Sequence, residues 1–239
     1  MTRRRWIADT STETTASLSG PQAEHLARVL RAQPGMEADV VADGHVYRAS
    51  ITSVSPEKVT FALIEELSAD SALPVTLLLS VFKFDRMEWA IEKVTELGIA
   101  TIVPILARRT EKHLAQAASK RVERWRRLAH EAAKQSRRAD LPTIEEPVSL
   151  AARLQQPSTA IRILLAEDEC DITLHSRIQD ALASASPSFE LAIGPEGGWT
   201  PEERALFEKY LWQSATLGPR ILRVETAAIA ATAIASALL

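Results

Sequence analysis

Four short segments of this chain are largely apolar at every position rather than at alternate ones: Val75–Phe82, Ile99–Leu106, Ile161–Leu165 and Phe189–Ile193. A strand of that kind has no face to turn to water, so it must lie in a sheet covered on both sides. The intervening segments have helical period. Met87, Ala90, Ile91, Val94 and Leu97 recur at three- and four-residue steps and stop at Gly98, and Asp85-Arg86-Met87-Glu88 before them has capping-box spacing. A long helix from Gln116 to Arg138 places Val122, Trp125, Ala129 and Ala132 on one face, and Ser176–Ala185 reads as another helix. Thr143–Pro147 and Ala152–Pro157 are less regular. Strand and helix in alternation specify a mostly parallel α/β sheet.

The first 72 residues read differently. Asp39–Val46 and Tyr47–Val54 are alternating segments around Asp43-Gly44, a hairpin signal, and Lys58–Ile64 is a further strand. One short helix, Gly20–Arg31, begins with Pro21 in its first turn and is followed by Pro34-Gly35. Short strands with one helix suggest a small barrel. The polar run Glu65–Ala72 and Pro74 place a boundary there, giving domains 1–72 and 73–239.

With 239 residues and 46% hydrophobic content the chain can bury a real core. The single cysteine, Cys170, excludes an intramolecular disulfide and a cysteine-based zinc site, and suits a reducing cytoplasm. It stands among Glu167, Asp168, Glu169 and Asp171, a setting that disfavours a thiolate nucleophile. The five histidines lack metal-ligand spacing, and no Gly-x-Ser-x-Gly elbow occurs, so neither a metal site nor that hydrolase chemistry is expected. The longest apolar run, Ala227–Leu239, has 13 residues against the roughly 20 that a membrane span needs. No membrane association is expected; the run reads as a helix covered by protein on several sides, and its small residues Ala228, Ala231 and Ala235 allow close approach.

The net charge of −3 conceals an asymmetry. Arg108 to Arg138 holds 11 Lys and Arg against 3 Glu, leaving −11 for the rest, and Arg3, Arg4, Arg5, Arg28 and Arg31 form a second basic group. Lys120, Arg124, Arg127, Glu131, Gln135 and Arg138 fall on one helix face. Such a field suits a polyanion such as RNA; the same run also reads as an ordinary solvated face.

Two loops stand out. Gly194-Pro195-Glu196-Gly197-Gly198 follows an apolar strand and precedes the helix start Thr200-Pro201-Glu202-Glu203. Three glycines at a strand's carboxyl end allow a ligand close to the backbone, or simply a tight connection. Leu217-Gly218-Pro219-Arg220-Ile221-Leu222-Arg223-Val224-Glu225-Thr226 leads into the last apolar helix, where Glu225 or Thr226 is positioned to cap. Its alternative is surface capping with salt bridges.

Glu92–Gly98, Ile193–Gly198 and Leu217–Ala227, in this order and spacing, resemble the SPOUT superfamily of RNA methyltransferases, and within it the ribosomal RNA small subunit methyltransferase E family. His25–Arg31 is similar to that family's N-terminal RNA-binding motif, and Glu131–Gln135 with Arg138 to a further family segment. The resemblance implies a PUA-like barrel, a methyltransferase domain with a deep trefoil knot at about 190–239, a homodimer, and methylation of uridine N3 in 16S rRNA of the small ribosomal subunit using S-adenosylmethionine. It implies cofactor contacts at Leu165, Ala166, Ile193, Gly194, Glu196, Gly197, Gly198, Leu217, Gly218, Ile221, Leu222, Arg223, Thr226 and Ala227. RNA contacts are expected from Arg4, His25, Arg28, Arg31, Arg124, Arg127, Gln135 and Arg138, and catalytic roles from Arg138, Arg223 and Glu225. Two alternatives stay open: a SPOUT enzyme acting on a ribose 2′-hydroxyl or a guanine nitrogen, and an RNA-binding protein without catalysis.

Overall fold

The computed structural model describes residues 5–68, 71–168, 171–183 and 187–239; Arg4 and Cys170 lie outside the described residues. The chain forms two compact units, one of residues 1–71 and 133–141, the other of 72–132 and 142–239. The expected division near residue 72 is thus joined by a second, non-contiguous piece of the first unit.

In the first unit the elements are β1 (Arg5–Ile7), β2 (Thr10–Ser11), β3 (Thr15–Ser19), α1 (Gly20–Glu24) running into a π-helical turn His25–Val29, β4 (Glu37–Ala42), β5 (His45–Val54) and β6 (Lys58–Leu67). The sheet order is β1-β4-β5-β6-β3-β2. Segment 5–11 pairs in parallel with β4 at its start and antiparallel with β3 at its end. Ala8 N–H reaches Val41 O and Asp9 N–H reaches Ser17 O between these pairings. One segment therefore holds both edges, and the sheet closes on itself, which removes exposed edge groups. Leu18, Val40, Ala49, Val59 and Phe61 fill the interior. Asp43 and Gly44 both have positive φ, 50° and 82°, the backbone of a tight two-residue hairpin, so the first strand of the pair ends before this turn and Val46 belongs to the second.

The second unit contains β7 (Leu73–Ser80), α2 (Phe84–Glu96), β8 (Ile99–Leu106), α3 (Lys112–Ala117), α4 (Val122–Ser136, from Ala133 on part of the first unit), β9 (Thr143–Ile144), β10 (Val148–Ser149), α5 (Leu150–Leu154), β11 (Ile161–Leu165), α6 (Leu174–Leu182), β12 (Phe189–Ile193), α7 (Pro201–Lys209), β13 (Gln213–Ala215) and α8 (Val224–Leu238). All pairings are parallel, in the order β10-β8-β7-β12-β11-β13 with β9 beside β8. Leu77, Leu78 and Leu79 are consecutive and all fully buried, because each sheet face has its own helical cover. Leu77 and Leu79 join the core with α2, α6 and α8, whereas Leu78 joins Leu154, Phe207 and Trp212 on the side of α5 and α7. Each such leucine contributes about 1.5–3 kcal/mol of transfer free energy.

Several local expectations change. Asp85 does not cap α2: its N-cap is Lys83, without a side-chain hydrogen bond, and Glu88 instead accepts two hydrogen bonds from Arg124. The helix expected from Gln116 to Arg138 is broken by a 3-10 turn at Ala118–Arg121, which takes Lys120 off the regular face. Neither Glu225 nor Thr226 caps α8; the helix starts earlier, with Arg223 at the N-cap in extended backbone and no side-chain bond. Ala228, Ala231 and Ala235 are already fully buried within one chain. The outward face is instead Thr226, Ala233, Ser236 and Ala237.

Candidate active site

The parallel sheet grows in both directions from β7: through β8 to β10 on one side, and to β12, β11 and β13 on the other. Carboxyl-end loops diverge at such a reversal and leave a crevice, where ligands of open α/β sheets sit. The glycine loop leaves β12 at this position. The second loop leaves edge strand β13, and α8 then packs against α2, β7 and β12 in the middle of the sheet.

The glycine loop is a tight turn: Gly198 N–H donates to Pro195 O at 2.8 Å, and Gly198 has φ 70°. A Cβ on Gly194 would stand 3.0 Å from Trp199 Nε1, so glycine here also lets the buried indole close over the backbone. Arg109 donates to the Gly197 carbonyl and lies along this residue. Thr200 and Glu203 form a capping box at the helix start expected for α7. Glu203 is buried, and its Oε1 also accepts the Arg108 N–H at 2.8 Å, which joins the loop after β8 to the start of α7. Arg204 grips Asp168, just beyond β11, with two 2.6 Å bonds and holds that carboxyl below the usual carboxylate range.

In the second loop, Thr216 Oγ1 accepts the Gly218 N–H at 3.1 Å. Gly218 has φ 118°, and a Cβ there would meet no atom of the described residues beyond its chain neighbours within 4 Å. Ile221 is 79% exposed, an unusual state for isoleucine. The first hydrogen bond at the start of α8 runs from Ala227 N–H to Arg223 O, leaving the N–H groups of Val224, Glu225 and Thr226 without backbone partners among the described residues. Glu225 itself is buried. Its Oε1 lies 3.9 Å from Arg86 Nη1, and its Oε2 has no hydrogen-bond partner among the described residues. Arg86 Nη1 also lies 3.3 Å from Glu196 Oε1, so this α2 cation bridges the two loops.

Leu165 and Ala166 sit at the end of β11, where Ala166 N–H is taken by Ala215 O. Ile193 ends β12 and is buried, Leu217 and Leu222 are half-buried, and Thr226 is exposed beside half-buried Ala227. Arg223 and Glu225 therefore share one loop-helix junction. Arg138 does not join them in this unit. It lies in the first unit, past the end of α4, with its side chain 8% exposed and its guanidinium on Asp140. Its displacement from the helix face has a clear cause: Arg137 takes φ 61°, and the bonds Arg138 N–H to Ala133 O and Arg137 N–H to Lys134 O close a Schellman motif.

Among the other basic candidates, Arg124 is tied to Glu88 at 2.8 and 2.9 Å, while Arg127 is exposed without an ion-pair partner among the described residues. Gln135 is exposed as well. Arg28 pairs with Glu24 at 2.9 Å on an exposed turn, Arg31 is exposed with φ 51°, and His25 is half-buried against Trp6. Sequence reasoning missed Arg86, Arg109 and the double role of Glu203. Arg109 was legible only as one charge in a basic run, and nothing around Arg86 marks it as facing two loops more than 100 residues away.

The profile of the RNA methyltransferase domain matches residues 69–236, and that of the RNA methyltransferase PUA domain matches residues 18–64. The chain belongs to this methyltransferase family. It is 33% identical to ribosomal RNA small subunit methyltransferase E of Bacillus subtilis over 89% of this chain and 86% of that protein. It is 35% identical to the enzyme of that name from Synechocystis over 95% and 74%. The crystal structure of ribosomal RNA small subunit methyltransferase E from Neisseria gonorrhoeae, bound to S-adenosyl methionine, superposes with a TM-score of 0.75 at 26% identity, covering 97% of this chain and 95% of that one. The α/β fold with a PUA-like first unit follows from these matches. Among the described residues, no helix is long and apolar enough to cross a membrane.

Proposed function

We propose that this chain is a cytoplasmic, S-adenosylmethionine-dependent methyltransferase acting on uridine N3 in 16S rRNA of the small ribosomal subunit. The observation that carries the reading is the pair of backbone-lined loops, Gly194–Gly198 and Leu217–Arg223, at the carboxyl ends of one sheet in a chain matched by both family profiles. The site fits the cofactor in three respects: open space at Gly218, unpartnered N–H groups at the start of α8, and the unpartnered, buried Glu225 Oε2. Leu165, Ala166, Ile193, Gly194, Glu196, Gly197, Gly198, Leu217, Gly218, Ile221, Leu222, Arg223, Thr226 and Ala227 would hold it, the apolar side chains against the adenosine and the main chain at its polar edge. When bound, S-adenosylmethionine supplies an electrophilic sulfonium methyl.

The protein must then orient a pyrimidine whose N3 carries a proton and stabilise negative charge on the imide as that proton leaves. Arg223 supplies the cation for the imide, and Glu225 accepts the proton through its free oxygen while Arg86 fixes the other. N3 lies on the pairing edge, so the target base must be unpaired when it reacts. Arg138, engaged by Asp140, is better suited to shaping the RNA surface than to the reacting imide.

The deep trefoil knot is part of this proposal, supported by the return of the chain from edge strand β13 to the central position of α8. So is a homodimer, supported by the exposure of Ile221 in the second loop and of Ala233 and Ala237 on α8. Calorimetry with S-adenosylmethionine and Gly198→Val tests the site. A β-branched side chain at φ 70° must displace the loop backbone, so cofactor affinity is expected to fall at least tenfold with unchanged far-ultraviolet circular dichroism. A folded variant with wild-type affinity would remove the glycine loop from the site.

A further inference from the structure

The first unit contains a cavity of about 310 Å³ lined by Arg5, Trp6, Gln22, His25, Lys134 and Arg137, every one of them a residue of that unit. Its volume is at the lower end for small-molecule pockets, about 300–1,000 Å³. Two aromatic rings form part of the wall, Trp6 and His25, with centroids 6.1 Å apart and planes inclined at 45°. Three cations surround them. Arg5 Nη1 donates to the Arg137 carbonyl at 3.1 Å, which fixes the end of α4 against β1. Lys134 Nζ lies 3.8 Å from Asp9 Oδ1, and Asp9 is otherwise occupied by Ser19, whose N–H and Oγ reach Oδ2 at 2.7 and 2.9 Å.

Two features mark this cavity. Gln22 Oε1 is buried and has no hydrogen-bond partner among the described residues, a rare condition for a native amide. The helices bordering the cavity also end on arginines in the left-handed region, Arg31 at φ 51° and Arg137 at φ 61°, where glycine is the unstrained residue. Strained positions kept by charged residues point to a use for the charge.

We propose that this cavity holds one unpaired nucleotide of the RNA substrate by its base. The base stacks on Trp6 or His25, one of its N–H groups donates to Gln22 Oε1, and Arg5, Lys134 and Arg137 contact adjoining phosphates. The inference rests on the reading of the chain as an RNA methyltransferase, and it assigns the first unit an anchoring role that generic phosphate binding by Arg28 and Arg31 lacks. A carboxamide is the side chain suited to a base edge, since it offers an acceptor and donors side by side.

The test is fluorescence anisotropy of the full chain with a short single-stranded oligoribonucleotide of mixed sequence, over a series of salt concentrations. Trp6→Ala and Gln22→Leu should each weaken binding about fivefold or more, with the salt slope unchanged, because they remove base contacts. Arg137→Gly relieves the left-handed strain, so it should fold at least as stably as the wild type yet lower the salt slope by about one unit. S-adenosylmethionine affinity should be unchanged in all three. Wild-type affinity in Trp6→Ala and Gln22→Leu, while Arg28→Ala with Arg31→Gly weakens binding, would overturn the nucleotide pocket and leave the RNA reading standing. A wild-type chain that binds no RNA would overturn both.

Discussion

Glu225→Gln is expected to slow methyl transfer by about 100-fold or more at saturating cofactor and RNA, because general-base assistance is worth 10²–10⁴. The substitution is nearly isosteric at a buried position. It removes the carboxylate proposed to take the imide proton, and it leaves Arg86 with Glu196 as partner at 3.3 Å. Cofactor affinity should change much less than turnover. Arg223→Ala should cost about 10²–10³ by removing the cation proposed to face the imide. Single-turnover rates with labelled cofactor measure both. An increase of rate with pH separates the roles further: if Glu225 is the base, Glu225→Gln should recover at high pH, where the uridine N3 proton dissociates by itself, whereas Arg223→Ala should not recover. A Glu225→Gln variant with wild-type turnover at neutral pH would exclude the base assignment.

Ala231→Glu and Ala233→Glu should fail in different ways, although they are two residues apart on one helix. Ala231 is fully buried against the core formed with α2 and the sheet, so a carboxylate there must be desolvated without a partner. That penalty is several kcal/mol, comparable with the roughly 5–15 kcal/mol of a typical domain's stability, and the variant should unfold or melt far below the wild type. Ala233 faces outward, so Ala233→Glu should leave the melting of the monomer intact and displace a second copy of the chain. Sedimentation velocity at micromolar concentration should show a wild-type dimer and an Ala233→Glu monomer. A dimer unaffected by Ala233→Glu would place the contact elsewhere on the chain.

The same helix shows what a sequence can and cannot convey. Its apolar circumference signalled coverage on several sides, and that much holds, but the pattern could not say which side the chain covers itself. The small-residue face Ala228, Ala231 and Ala235 is closed by the protein's own core, with Thr232 Oγ1 satisfied by the Ala228 carbonyl at 2.8 Å. Strands Ile99–Leu106, Ile161–Leu165 and Phe189–Ile193 were legible to the residue, since burial on both faces imposes a largely apolar run. Strand β13 was not, because Gln213-Ser214-Ala215 is a short polar edge strand set by its pairing with β11. The basic stripe was only partly legible. Spacing placed Arg124 and Arg138 on one face, but a bidentate contact with Glu88 and a left-handed Arg137 decide what those cations do, and neither follows from periodicity. The glycine loop and the Leu217–Arg223 loop were legible as places where backbone stays open. Their connection through Arg86 was not, since it spans 110 residues to Glu196.

The central claim is methylation of uridine N3 in 16S rRNA, and nucleoside mass spectrometry tests it directly. The purified chain is incubated with methyl-labelled S-adenosylmethionine and 16S rRNA, free or in the assembled small subunit, and the RNA is digested to nucleosides. The account predicts label in 3-methyluridine, absent when Glu225→Gln replaces the wild type. Label in a 2′-O-methylated nucleoside or in a methylguanosine, or no label with either form of the rRNA, would contradict it.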